Sequence, residues 1–178
     1  MGALLAVAKR IFATKKLDVC ILGLDNSGKT TILEAMCGTL QLKNTVPTIG
    51  MNVKQLKSNG VTMKAFDLGG QQRFRSEWLR YAAECDCILY VVDAADERRL
   101  PESRYEINRL LEDAGFAQKP ILIVANKCDL PHMEPERIIQ GLNLDYITDN
   151  RWAVVPISAM QRTRIPEVIK WLVGYAHN

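Results

Sequence analysis

The stretch Gly23-Leu24-Asp25-Asn26-Ser27-Gly28-Lys29-Thr30 decides the fold. It follows a short apolar run, Leu17 to Gly23, that reads as a buried strand. Thr30 to Cys37 comes next, with Ile32, Leu33 and Met36 at helical spacing. The stretch fits G-x-x-x-x-G-K-[ST] at every fixed position, between a strand and a helix, which is the context a phosphate-binding loop requires. Glycines let the backbone wrap close to an anion, and successive N–H groups with the helix N-terminus present positive potential to phosphate oxygens. Lys29 neutralises the outer phosphates, the Thr30 hydroxyl is a hard oxygen ligand for Mg²⁺, and Thr31 is placed for a further phosphate contact.

Outward from this loop, elements alternate in type. Met51 to Leu56 alternates apolar and polar, Ser58-Asn59-Gly60-Val61 is a tight hairpin signal, and Val61 to Asp67 returns as a second strand. Cys87 to Val92, Ile121 to Ala125 and Trp152 to Ile157 read as core strands. Leu100 to Leu111 and Ile165 to Tyr175 read as helices, the last with Ile165, Val168, Ile169 and Leu172 on one face. Strands separated by helices predict an α/β fold: a six-stranded, mostly parallel sheet with one antiparallel edge strand and helices on both faces.

Composition bounds the alternatives. At 178 residues, 48% hydrophobic and 24% charged, the chain can bury a core without disulfides, and disorder is excluded. No apolar run reaches the roughly 20 residues that span a bilayer. The net charge of +3 is local: residues 1–16 hold Lys9, Arg10, Lys15 and Lys16 and no acid. The remainder is nearly neutral, so no nucleic-acid surface is expected. The five cysteines match no zinc spacing and read as reduced, mostly buried thiols.

Asn126-Lys127-Cys128-Asp129 directly follows a strand, at the sheet edge where open parallel sheets bind ligands. The Asp129 carboxylate can accept both N1–H and the 2-amino group of guanine, whereas adenine would leave it unpaired. The Lys127 stem can cover the base, Asn126 can tie this loop to the phosphate loop, and Ser158-Ala159 can offer an N–H to the guanine carbonyl. In Asp67-Leu68-Gly69-Gly70-Gln71, Asp67 can hold Mg²⁺ through a water and the Gly70 N–H can approach a γ-phosphate. Gln71 can orient an attacking water, and Thr48 of Pro47-Thr48-Ile49-Gly50 can give Mg²⁺ a second hydroxyl.

Together GLDNSGKT, PTIG, DLGGQ, NKCD and SA, in this order, resemble the Arf and Arf-like branch of the Ras superfamily over about residues 3–175. Gly69 to Trp78 with Arg80-Tyr81, Asp93-Ala94-Ala95-Asp96 and Ser103-Arg104-x-Glu106 most resemble the Arf-like proteins that position lysosomes. The resemblance implies a GTP/GDP switch in which the hairpin, about Met51 to Asp67, slides along the sheet on GTP binding and expels an N-terminal helix. It maps an effector surface onto Met51, Phe66 and Tyr81, with Met51 replacing the usual Phe; Trp78, beside the second switch, is expected to be part effector surface and part core. It also implies an exchange factor, effectors and an activating protein. Asp25 and Asn26 stand where fast GTPases carry glycine and no Arg follows a cis-finger pattern, so hydrolysis is expected to be slow unaided.

The division expected is an N-terminal segment, 1–16, and a GTPase domain, 17–178, acting as a monomer. On a helical wheel Leu4, Leu5, Val7, Ala8, Ile11 and Phe12 form one arc with Lys9 and Arg10 at its shoulders, an interfacial anchor for anionic lipid. Gly2 invites myristoylation, but Ala6 stands where that motif wants Ser or Thr; N-terminal acetylation with direct helix insertion competes. Tyr175-Ala176-His177-Asn178 carries no cysteine, so prenylation of the Ras or Rab type is not expected. The expected place is the cytoplasm, reversibly peripheral on an endomembrane, the lysosome or endosome before the Golgi or cilium. Two other classes fit less well. A P-loop metabolic kinase needs an Arg-rich lid and leaves NKCD unexplained; a GTP-locked scaffold leaves Gln71 without a role.

Overall fold

The computed structural model describes residues 15–40 and 47–177. Strand β1 (Lys15–Leu22) begins two residues before the apolar run and ends at the phosphate loop. Helix α1 (Lys29–Met36) follows. Strands β2 (Met51–Ser58) and β3 (Val61–Leu68) pair antiparallel from Met51 opposite Leu68 to Ser58 opposite Val61. Asn59 and Gly60 between them both take positive φ, as a two-residue hairpin requires.

A 3-10 segment (Gln72–Glu77) leads into α2 (Trp78–Glu84), and β4 (Cys87–Asp93) re-enters the core. Helix α3 (Leu100–Leu111), β5 (Ile121–Asn126), α4 (Pro135–Leu142), β6 (Trp152–Pro156) and α5 (Ile165–Val173) complete the order. The sheet runs β2-β3-β1-β4-β5-β6, parallel throughout except for β2 on its edge. This is the architecture expected.

Alternate residues of the central strands feed two cores. On one face Val19, Ile21, Leu89 and Val91 meet Ile32 and Leu33 of α1 and Val168 and Leu172 of α5. On the other, Cys20, Ile88 and Tyr90 meet Trp78 of α2, Ile107 and Leu110 of α3, and Ile138 of α4. Burial on both faces explains why β4 and β5 read as unbroken apolar runs. Among the described residues no helix is long and apolar enough to cross a membrane.

Helices α2 and α4 were not read from the sequence. Helix α4 carried a signal, Pro135 in its first turn with Ile138, Ile139 and Leu142 at helical spacing. Trp152 and Trp171 are only half-buried at the core's margin, Trp171 leaning on Tyr175 with centroids 4.6 Å apart. All five cysteines are free thiols, with Cys20, Cys85 and Cys87 buried. Burial pushes the Cys20 and Cys87 thiols well above their usual range. The arm carrying Gly2, Leu4, Leu5, Val7, Ala8, Ile11 and Phe12 lies outside the described residues.

Candidate nucleotide and magnesium site

The parallel topology brings the C-terminal ends of β1, β3 and β5 to one edge of the sheet. A cavity of about 350 Å³ opens there. Asp25, Asn26, Gly28, Lys29, Thr30 and Thr31 line one wall, Pro47, Thr48, Gly70 and Gln71 a second, and Asn126, Lys127 and Asp129 the far end. Segments spread over a hundred residues of sequence therefore share one concavity. Leu130 and Met160 also line it and were not singled out from sequence. Two isolated apolar side chains in polar loops carry no signal on their own.

Lys29 is buried, its Nζ donating to the carbonyls of Gly23 and Leu24 at 2.9 Å each. Burial pulls its pKa down to about 8, against the opposing pull of Asp67 and Asp25. An ammonium held this way gains from an anion beside it. Gly70 rests directly on the phosphate loop: a methyl group there would collide with the backbone of Leu24 and Asp25 and with Lys29 Nζ. Only glycine lets the two loops approach so closely.

Three oxygen donors converge next to Lys29. Thr30 Oγ1 donates to Asp67 Oδ2 at 2.6 Å, Thr30 and Thr48 hydroxyls are 2.8 Å apart, and Thr48 Oγ1 lies 3.4 Å from Asp67 Oδ2. Asp67 is fully buried and its Oδ1 has no partner. Burial raises its pKa, against the Thr30 hydrogen bond and the Lys29 charge. A buried carboxylate oxygen without a donor, flanked by two hydroxyls, suits a hard cation. Two hydroxyls and a carboxylate are an all-oxygen set, which matches hard cations and not the nitrogen and sulfur ligands of zinc sites. The donor set fits Mg²⁺ shared with phosphate.

At the base end, Asn126 is buried and bridges two loops. Its Nδ2 donates to Ser27 O at 2.9 Å, and its Oδ1 accepts from the Ala159 N–H at 3.0 Å. The tie to the phosphate loop is as expected. The Ala159 N–H, expected for a guanine carbonyl, is taken by Asn126 here. Ser158 has a different task from the one expected: its Oγ donates to Asp129 Oδ1 at 2.6 Å and aims that carboxylate. Lys127 is anchored by its Nζ to Asp93 at 2.6 Å, so its stem lies along the cavity wall. Leu24 is buried beneath the loop, and Ser27 is buried with its Oγ unpartnered.

Gln71 reaches the cavity, and its Oε1 accepts from Arg73 Nε at 3.1 Å. Arg73 is exposed. Arg75 is not: it is only 4% exposed and grips Gly70 O, Glu102 and Glu106. Trp78 corrects an expectation. It is completely buried, its Nε1 donating to Gly69 O at 3.1 Å, so it supports the loop from inside and offers no effector surface. Asp25, which could have touched substrate, is held by Arg99 at 2.7 Å and stabilises the loop.

The pairing of Val53 with Phe66 puts Met51, Val53 and Phe66 on one face of the edge hairpin. Tyr81 stacks on Phe66 with centroids 6.5 Å apart. Ile49, Met51 and Val53 are exposed large apolar residues beside them. The three expected effector positions thus form one patch, with Lys64 Nζ 4.5 Å over the Phe66 ring.

A phosphate loop, a hydroxyl–carboxylate cluster and an Asn-Lys-Cys-Asp end on one sheet edge form a candidate guanine-nucleotide site. The ADP-ribosylation factor family profile matches residues 4–176. The chain belongs to the ADP-ribosylation factor family. It is similar to ADP-ribosylation factor-like protein 3 of Chlamydomonas reinhardtii, 38% identical over 156 residues, covering 87% of this chain and 88% of that one. It is similar over greater length to ADP-ribosylation factor-like protein 8b of Arabidopsis thaliana, 35% identical over 175 residues, covering 98% and 95%. Among solved structures it resembles the Arl6 BBS3 small GTPase of Trypanosoma brucei with bound GppNp, with TM-score 0.81 and 29% identity over 89% of this chain and 96% of that one.

As an Arf-like small GTPase the chain binds GTP and GDP with Mg²⁺ and hydrolyses GTP. Thr30 and Thr48, with Asp67 behind them, would hold the metal. When bound it neutralises charge on the outer phosphates. Lys29 and the loop N–H groups would bind and orient those phosphates, with Gly70 packed against the same loop. Such GTPases act with exchange factors, activating proteins and effectors.

Proposed function

We propose that this Arf-like GTPase is a membrane-recruitment switch whose on state is the arrangement just described. The observation that carries it is the meeting of Thr30, Thr48 and Asp67 within 3.4 Å, with Gly70 packed on the phosphate loop. Thr48 and Gly70 belong to loops that the third phosphate and its metal hold together and hydrolysis releases. Gln71 orients the attacking water, and unaided turnover is slow. Arg75 and Arg99 are both engaged by carboxylates, which supports an activating protein as the source of a catalytic arginine.

The patch of Met51, Phe66 and Tyr81 receives effectors while the loops are closed. The amphipathic segment at the N-terminus, with its four basic residues, is the lipid contact. The protein works as a monomer, peripheral on an endomembrane. The lysosome or endosome is favoured by the local resemblance around Gly69 to Trp78, and alignment with the Arf-like 8b relative over nearly the whole chain supports it.

Liposome flotation tests this reading. Full-length protein loaded with Mg·GppNp should float with anionic vesicles and the GDP form should not. A chain lacking residues 1–14 should lose flotation in both states. Flotation indifferent to nucleotide would sink the switch reading.

A further inference from the structure

Two successive peptide groups at the cavity wall are gripped from behind by their carbonyls. Trp78 Nε1 donates to Gly69 O at 3.1 Å, and Arg75 Nε donates to Gly70 O at 2.9 Å. A trans peptide is planar, with its N–H pointing opposite its C=O. Fixing Gly69 O therefore aims the Gly70 N–H, and fixing Gly70 O aims the Gln71 N–H. Both residues line the cavity, and neither N–H meets an acceptor among the described residues.

Both gripping side chains are themselves immobilised. Trp78 is completely buried and meets Tyr90 edge-on. Arg75 Nη1 donates to Glu106 at 3.0 Å and Nη2 to Glu102 at 2.8 Å, both on α3. Asp25 of the phosphate loop lies 3.6 Å from Nη2. Arg99 completes the frame, reaching Asp25 at 2.7 Å and Glu102 at 3.1 Å. Arg109 Nη2 donates to the Arg75 carbonyl at 3.1 Å. A guanidinium is suited to this work because its planar fork serves several acceptors in fixed directions.

We propose that Arg75 and Trp78 are positioning residues for the third phosphate: they hold two neighbouring N–H donors, those of Gly70 and Gln71, pointed into the cavity, and so set the preference for triphosphate over diphosphate. The clamp's hydrogen bonds go to the Gly69 and Gly70 carbonyls and to α3, and it meets the phosphate loop only through the Asp25 carboxylate. Its loss acts on one nucleotide and spares the other. This rests on the guanine-nucleotide reading of the cavity and on the placement of Gly70 at the third phosphate.

The test is the ratio of dissociation constants for fluorescent GppNp and GDP, both with Mg²⁺, on the full-length protein. Arg75→Ala should weaken GppNp by about tenfold or more, as expected when aimed donors are released, and GDP by less than about threefold. Arg75→Lys, which keeps the charge but not the fork, should fall between. Trp78→Phe, which keeps the ring and loses the donor, should shift the ratio the same way. Glu102→Gln on the solvent side of the frame should do so more weakly, and these two variants decide the matter if Arg75→Ala does not fold. Equal loss for both nucleotides would make the clamp merely structural, and an unchanged ratio in Trp78→Phe and Glu102→Gln would remove it. A wild-type chain that binds neither nucleotide would be a separate failure, that of the nucleotide reading itself.

Discussion

Asn126 Nδ2 donates to the carbonyl of Ser27 at 2.9 Å, joining the base end of the cavity to the phosphate loop across 99 residues of sequence. Its Oδ1 simultaneously accepts from Ala159. One buried amide thus welds three loops. Asn126→Ala leaves a buried carbonyl and a buried N–H unsatisfied, at about 1–3 kcal/mol. Affinity for GDP and GTP should fall together, by about 5- to 150-fold, in nucleotide titration. Unaltered affinity would show that the loops are held by other means.

Asp129 should be tested on the base, not by mutation alone. Its carboxylate, aimed by Ser158, has room for two donors from guanine. Inosine nucleotides lack the 2-amino group and forfeit one charge-assisted hydrogen bond, about 1.5–3 kcal/mol. ITP should bind about 10- to 150-fold more weakly than GTP. In Asp129→Ala that difference should vanish. Persistence of the difference would place the base elsewhere.

The two hydroxyls should separate by nucleotide. Thr30→Asn disturbs the metal whichever nucleotide is present. In the proposed switch, Thr48 belongs to the loop that closes only over the third phosphate. Thr48→Ala should therefore weaken Mg²⁺ by about tenfold or more with GppNp and leave it unchanged with GDP. Equal effects in both states would contradict the assignment of Thr48 to the switch.

Gln71→Leu should slow turnover in the presence of an activating protein by on the order of a hundredfold, the cost of a misplaced water. Single-turnover GTP hydrolysis reads this directly. Arg73→Ala, which removes only the exposed partner of Gln71, should retain turnover. Normal hydrolysis by Gln71→Leu would take Gln71 out of the reaction.

The arginine–carboxylate frame should also show in acid. Burial works to raise the pKa of Asp25 and Glu102, but the hydrogen bonds from Arg99 and Arg75 outweigh it and hold both below their usual values. A carboxylate lowered on folding contributes stability above its unfolded pKa and loses it as pH falls through the folded value. The stability gap between wild type and Asp25→Asn should hold from neutral pH down to the ordinary carboxylate range and close below it. The gap is small, because both side chains are well exposed. A gap that stays open in strong acid would assign the effect to packing.

What could be read in the sequence was what contiguous backbone geometry demands. The phosphate loop, the Asn126–Asp129 turn and the Asn59-Gly60 hairpin each encode their conformation within a few residues. The strands were legible because β4 and β5 are buried on both faces and so are continuously apolar. Arg75 was not legible: its meaning lies in Glu102 and Glu106, about thirty residues on, and in Asp25 on another loop. A charged residue read alone defaults to solvent, and only the fold brings the compensating carboxylates. Trp78 was misplaced for a similar reason. Its ring is needed to fill the space beneath Gly69, and nothing adjacent in sequence announces that space.

In the proposed switch, the third phosphate closes the loops of Thr48 and Gly70 onto the phosphate loop. Amide hydrogen exchange of the full-length protein with Mg·GDP and with Mg·GppNp measures this directly. Peptides covering residues 47–51 and 69–77 should be protected with GppNp and exchange faster with GDP, while β4 and β5 stay unchanged. Equal exchange of those two loops in both states would contradict a nucleotide-governed switch in this chain.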